Sequence, residues 1–197
     1  MKEIKKSEYG CSKYRKIFEY IKSDYNRYGG KPLTFKTIVK VILGRGGHCF
    51  GYSFWFRLSS ENNIFSRIAK RRLSKLTKQY GLQIPIGTKI GYGLYIGHGI
   101  GIVISPTATI GNNCNLSQFT TIGSNHGQAA TIGDNVYIGP SVCIVENVRI
   151  GNNVSIGAGA VVVKDVPDNA TVAGVPAKVI SYNNPARYIG NRWKVKE

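Results

Sequence analysis

From Ile84 onward the chain places a branched apolar residue at every sixth position. Ile84, Ile90, Ile96 and Ile102 are followed, after a two-residue slip, by Ile110, Leu116 and Ile122; after a longer insertion come Ile132, Ile138, Ile144, Ile150, Ile156 and Val162. Two positions before most of these anchors stands a small or β-branched side chain, as at Thr88, Ala108, Cys114, Thr120, Val136 and Ala160. A repeat of six does not fit 3.6 residues per helical turn. It fits a short strand plus a turn, with both apolar positions of each unit on one side. Stacked at about 4.8 Å, such units pair every strand with the one above and build a parallel solenoid. Thirteen units at three per coil predict between four and five coils of a triangular prism. Glycine follows eight of the anchors, which predicts corners whose backbone angles side chains resist. The two interruptions predict an altered corner near Ser105-Pro106-Thr107 and a loop, Ser124-Asn125-His126-Gly127-Gln128, that leaves the prism.

Before residue 81 the period is helical. Tyr14, Ile17, Phe18, Ile21 and Tyr25 share one face of a first predicted helix, and Phe35, Ile38, Val39 and Ile42 one face of a second, capped by Thr34. The aromatic stretch CFGYSFWFRL reads as a helix or a buried connector. In the segment IFSRIAKRRLSKLTKQY, Phe65, Ile68, Leu73 and Leu76 are expected to face the core while Arg67, Lys70, Arg71, Lys75 and Lys78 cover the rest. The chain thus divides into a basic helical region over residues 1–80, a β-helix domain over 81–180 and a C-terminal tail over 181–197.

Charge follows the same division. Residues 1–80 hold 19 Lys and Arg against 5 Asp and Glu, whereas residues 81–197 hold 8 against 5. A solvated helix face is the default reading of the basic half, and peripheral contact with anionic lipid or lipid-linked sugar diphosphates is the alternative. Nucleic acid ranks last, because no helix-turn-helix, zinc-finger or stacking-platform pattern accompanies the charge. MKEIKKSEYG leads into no uninterrupted apolar run, so the expected location is the cytoplasm, extending to the inner face of the membrane. Cys11, Cys49, Cys114 and Cys143 form no C-x-x-C pair, which favours free thiols over a zinc site, a redox dithiol or a disulfide framework.

IGDNVYIGPSVCIVENVRIGNNVSIGAGAVVVKDVPDNATVAGVPAKVI resembles the repeat and closing signature of the hexapeptide-repeat acyltransferases, whose fold is a left-handed parallel β-helix. The likeness covers about residues 82–180. IGHGIGIVIS and LSQFTTIGSN are similar to the serine acetyltransferase branch and to relatives that acetylate capsular or exopolysaccharide sugars; the basic, aromatic-rich helical half is most similar to the latter. The resemblance implies a homotrimer, acetyl-CoA as donor in a groove between adjacent prisms, no metal, and His98 as general base. An alcohol has too high a pKa to attack a thioester at neutral pH, and a neutral imidazole within reach removes its proton as the new bond forms.

Further site residues follow from place and from the resemblance, Gln118 and Asn125 being expected to face the same groove as His98 and His126 to sit in the extruded loop. Gln118, Asn125 and His126 are candidates for acceptor binding or proton relay, with turn chemistry and surface exposure as their ordinary roles. Gly123, Gly139, Ala158 and Gly174 match places where the family's pantetheine arm runs, although prism corners need small residues anyway. Lys178 matches a contact to CoA phosphates, against an ordinary solvated lysine. His48, outside the repeats, reads as structural.

Serine acetyltransferases carry an aspartate immediately before the catalytic histidine and another near the start of the first matched coil; the corresponding residues here are Gly97 and Gln83. A sugar hydroxyl needs no counter-charge for an ammonium. The expected reaction is therefore acetyl transfer to a carbohydrate hydroxyl, on a free or lipid-linked sugar in surface polysaccharide assembly. Serine O-acetylation in cysteine biosynthesis is the alternative, and a non-catalytic β-helical scaffold a third class.

Overall fold

The computed structural model describes residues 15–60 and 64–195. Tyr14, Cys11 and the Asn62-Asn63 pair lie outside that range. Helix α1 occupies residues 15–26, α2 Phe35–Ile42, α3 His48–Ser59 and α4 Ser66–Tyr80. Thr34 caps α2 as expected, its side chain accepting from the N–H of Thr37. The aromatic stretch is α3, buried at nine of its positions including Phe50, Tyr52, Phe54 and Phe56. Two predicted helix faces need correction. In α2 the buried residue is Val41, while Phe35 and Ile42 are exposed; in α4 the buried pair is Ala69 and Leu73, and Phe65 and Ile68 are exposed. Alternation along the chain shows that a helix has an apolar side, but which part of it is covered depends on how far each neighbour reaches.

Three parallel sheets then wind into a prism. One face stacks β1 (Lys89–Ile90), β4 (Thr109–Ile110), β7 (Thr131–Ile132) and β10 (Arg149–Ile150). The second stacks β2 (Tyr95–Ile96), β5 (Asn115–Leu116), β8 (Tyr137–Ile138), β11 (Ser155–Ile156) and β13 (Thr171–Ala173), closed by antiparallel β14 (Lys178–Ser181). The third stacks β3 (Val103–Ile104), β6 (Thr121–Gly123), β9 (Cys143–Val145) and β12 (Val161–Val162). Four coils are complete, and the bridge from Ile150 to Val166 with β13 begins a fifth. In every coil the anchors stack in register, Ile96 on Leu116 on Ile138 on Ile156, and all four are buried.

The register relocates the first interruption. Val103 pairs with Thr121 and Ile104 with Ile122, while Gln83 bridges to Val103. Ile104 is therefore the anchor and Ile102 takes the role of Thr120, two positions earlier. The eight-residue interval lies between Ile96 and Ile104, so the two extra residues enlarge the corner at Gly97–Gly101 instead of the one at Ser105-Pro106-Thr107. The reason for the repeated glycines also changes. Gly91, Gly111, Gly133 and Gly151 are not in the left-handed region; a Cβ on Gly111 would lie 2.6 Å from the carbonyl carbon of Gly133 in the next coil. One series of left-handed corners belongs to asparagines, Asn113, Asn135, Asn153 and Asn169, at φ between 56° and 64°, and others fall at Phe119, Ser141 and Glu146. Asn tolerates that region when its amide bonds locally, and here Asn135 donates to Asn153 and Asn153 to Asn169, each at 3.0 Å.

The helices cap the first coil of their own chain. Asp24 is fully buried and accepts from Arg57 at 2.9 and 3.0 Å, from Ser53 at 2.6 Å and from the N–H of Leu94 at 2.8 Å. Arg57 also donates to the carbonyls of Ile90 and Gly91, and Arg27 to those of Gly93 and Gly190. Beyond β14 the chain climbs the second face: Ala186 bonds to Asn153, Tyr188 packs on Tyr137 and Trp193 bonds to Asn113. That face is thereby covered. The first presents Lys89, Thr109, Thr131 and Arg149. The third presents a mostly apolar ladder of Val103, Thr121, Cys143 and Val161, beside exposed Val145 and Val163, and nothing among the described residues covers it.

Candidate active site

His98 stands at the enlarged corner between the second and third faces. It is exposed, and its backbone is left-handed at φ 50°. The main chain on both sides is held. Gly97 donates to the carbonyl of Leu116 at 2.8 Å, Gly99 to Cys49 Sγ at 3.2 Å and Gly101 to the carbonyl of Tyr80 at 2.9 Å, while the carbonyl of Ile100 accepts from Phe119 at 2.9 Å. Tyr28 grips the strand that leads in, its hydroxyl accepting from the N–H of Ile96 at 3.0 Å and donating to its carbonyl at 3.2 Å. Burial pushes the Tyr28 phenol well above its ordinary pKa, so it stays a neutral bridge. The imidazole itself bonds to nothing among the described residues. A fixed backbone and an unengaged ring suit a group that must meet an incoming hydroxyl.

The coil below brings Gln118 to the same corner, and the next coils bring Gly139, Ala158 and Gly174. Coil-to-coil bonds run from Gly97 to Leu116, Gly139 to Ile156 and Gly157 to Val172, so these residues form one vertical line down the prism. The amides of Gln118 and Ala158 take no part in this bonding among the described residues, and Gln118 Oε1 is buried without a partner. A line of corners with unengaged backbone N–H donors is chemically suited to an extended ligand carrying amides. Lys178 begins β14, beside Ala173 at the foot of this line, with its side chain exposed.

Gly123, Asn125 and His126 do not join them. They lie where the third face meets the first, at the opposite end of its strands. The loop is pinned on both sides: Ser124 donates to Glu146 at 2.6 Å, the N–H of Asn125 to Glu146 at 3.2 Å, and Gln128 to the carbonyl of Thr107 at 2.6 Å. These bonds, chiefly the one from Ser124, hold the Glu146 carboxyl below its ordinary pKa. Sequence reasoning missed Glu146. Its signal is chemical: from residue 25 to residue 133 the chain contains one carboxylate, Glu61, so an acid within the repeats is informative. The thiols are free at Cys49, Cys114 and Cys143; burial lifts Cys114 to about 12, which makes it inert.

The family described as bacterial transferase hexapeptide (six repeats) matches residues 129–164. The serine acetyltransferase of Staphylococcus epidermidis is 40% identical over 156 residues, covering 76% of this chain and 71% of that protein. The chain belongs to the serine acetyltransferase family. The Neisseria gonorrhoeae serine acetyltransferase in complex with serine superposes with a TM-score of 0.69 at 32% identity, covering 83% of this chain and 69% of that one. A serine acetyltransferase structure in complex with CoA gives 0.58 at 30%, covering 66% and 56%. The chain spans about half the length, 48%, of the Synechococcus elongatus serine acetyltransferase, to which it is 40% identical over 118 residues, 57% of this chain.

The solenoid is thus the left-handed β-helix of this family. The expectation of a carbohydrate acceptor is overturned, because the relatives and solved structures just named are serine acetyltransferases. With it goes the argument for a lipid-linked sugar and a membrane-bound basic half; among the described residues no helix is long and apolar enough to cross a membrane. The reasoning failed at a definite point. It rested on the missing carboxylates at Gly97 and Gln83, and Glu146, at the opposite edge of the third face, was not weighed.

Proposed function

We propose that the chain is an acetyl-CoA-dependent serine O-acetyltransferase working as a homotrimer in the cytoplasm, with His98 as general base. The observation that carries this reading is an exposed, unbonded imidazole at the head of a groove in a prism similar to serine acetyltransferases. A ring nitrogen of His98 takes the proton from the serine hydroxyl as its oxygen attacks the thioester carbonyl carbon. The carbon–sulfur bond then breaks, and the CoA thiolate leaves with the proton held on the imidazolium. The backbone N–H groups of Gln118 and Ala158 hold the pantetheine arm down the corner past Gly139 and Gly174, towards Lys178.

Assembly completes the site. The uncovered apolar ladder of the third face supports threefold packing, which brings the loop edge of one copy, with Asn125, His126 and Glu146, to the His98 edge of the next. Glu146 then supplies the negative charge that the serine ammonium requires. The experiment is CoA thiol release with L-serine as sole acceptor, comparing the wild-type chain with His98→Ala. Release by the wild type and its loss in the variant are expected; no serine-dependent release by a folded wild-type trimer defeats the reading.

A further inference from the structure

A cavity of about 430 Å³ opens between the end of α2, the start of α3 and the outer side of α4. Its rim carries Arg45, Arg72 and Lys75, all exposed and none in an ion pair or side-chain hydrogen bond among the described residues. The sequences of α2, α3 and α4 contain no carboxylate at all. Gly47 and His48, at the start of α3, also line the opening, and their backbone N–H groups have no acceptor among the described residues. Val41, Trp55 and Leu76 form the apolar part of the wall.

Cations spread over a convex surface are solvated separately and need no ligand. Three that converge on one concavity with no acid in its lining among the described residues raise the local potential and repel one another, and an anion relieves both effects. Guanidinium forks and an ammonium together match the oxygens of a phosphoryl group, and an apolar wall admits an organic remainder. Two of the cavity's lining residues, His48 and Tyr80, connect it to the catalytic corner. The His48 ring stacks on Tyr80 with centroids 4.2 Å apart, and its Nε2 lies 3.5 Å from Cys49 Sγ. Cys49 Sγ and the Tyr80 carbonyl are the acceptors for the amides of Gly99 and Gly101, on the far side of His98.

We propose that this cavity binds a phosphate-bearing anion through Arg45, Arg72 and Lys75, and that its occupation stiffens the corner that carries His98. The site is separate from the groove that takes the acyl donor, and neither half of the proposal depends on which acceptor is acetylated.

The test uses the full chain without CoA, since CoA has phosphates of its own. Inorganic phosphate and phenyl phosphate are titrated by calorimetry into the wild type and into the Arg45→Gln/Arg72→Gln/Lys75→Gln variant, with phenol as a control. Expected is saturable binding to the wild type, weakened about tenfold or more in the variant. Tighter binding of phenyl phosphate than of phosphate identifies an organic phosphomonoester, and equal affinity identifies free phosphate. Amide hydrogen exchange at Gly99 and Gly101 should slow on saturation of the wild type and not of the variant. Absence of binding, or equal binding by the variant, overturns the site; binding with unchanged exchange at both glycines overturns the coupling. Neither readout requires acetyl transfer, so failure here is distinct from failure of the proposed reaction.

Discussion

The N–H of Gly99 donates to Cys49 Sγ at 3.2 Å, so the residue after His98 is held by the first turn of α3 and not by the prism. Its neighbour Gly101 is held by the last carbonyl of α4. The helical region therefore does more than cover the first coil: it supplies the acceptors for a corner two residues too long to satisfy itself.

That relationship makes Cys49 a positioning residue. Cys49→Ala removes the acceptor and should lower kcat about fivefold, equivalent to one lost hydrogen bond of about 1 kcal/mol, with little change in the KM for serine. Cys49→Ser keeps an acceptor and should restore most of the rate. Equal loss in both variants, tracking a common fall in thermal midpoint, would show a packing role only.

His98→Ala should lower kcat/KM by about 10² to 10⁴, the range for removal of a general base, without altering sedimentation or helical content. Steady-state kinetics and sedimentation velocity on the same preparation check both halves. A variant within threefold of wild type would remove the assigned base.

How much of this was legible in the sequence differs by level. The coil was readable because its period recurs thirteen times and burial at each anchor is obligatory. The position of the enlarged corner was harder, since Ile102 and Ile104 are both buried and a strict count of six from Ile96 lands on the wrong one. Only the partner coil decides, by pairing Val103 with Thr121. One local signal existed: Ile104, Ile110, Leu116 and Ile122 are evenly spaced, which moves the slip to the other side of Ile104. The vertical line from His98 to Gly174 was foreseeable from corner periodicity, whereas Cys49, Tyr80 and Tyr28 reach the corner across long sequence distances that no local pattern encodes.

Glu146→Gln keeps the hydrogen-bonding shape but removes the charge. The KM for serine should rise about tenfold, by loss of a charge-assisted contact, with the KM for acetyl-CoA unchanged. A pH effect accompanies it. The folded-state pKa is lowered, so the stabilisation of the loop is present above the ordinary carboxylate range and is lost as pH falls through the lower folded value. Amide exchange at Asn125, corrected for its intrinsic pH dependence, should accelerate in that acid window in the wild type and show no such step in Glu146→Gln. An unchanged KM for serine would place the ammonium partner elsewhere.

The buried Asp24–Arg57 pair ties α1 and α3 to the first coil, and every oxygen lone pair used there faces a donor from a different element: Ser53 and Arg57 from α3, Leu94 from the prism. Asp24→Asn leaves the Arg57 guanidinium buried without a counter-charge, which should cost about 3–5 kcal/mol. The joint replacement Asp24→Leu/Arg57→Met should cost less than Asp24→Asn alone, because both charges leave together and no ion is left buried without its partner. Urea unfolding followed by far-ultraviolet dichroism measures both. Since α3 also carries Cys49, the single variant should loosen the His98 corner before the prism melts, so that activity is lost at lower urea than β structure. Coincident loss of the two signals would mean that cap and prism unfold as one unit.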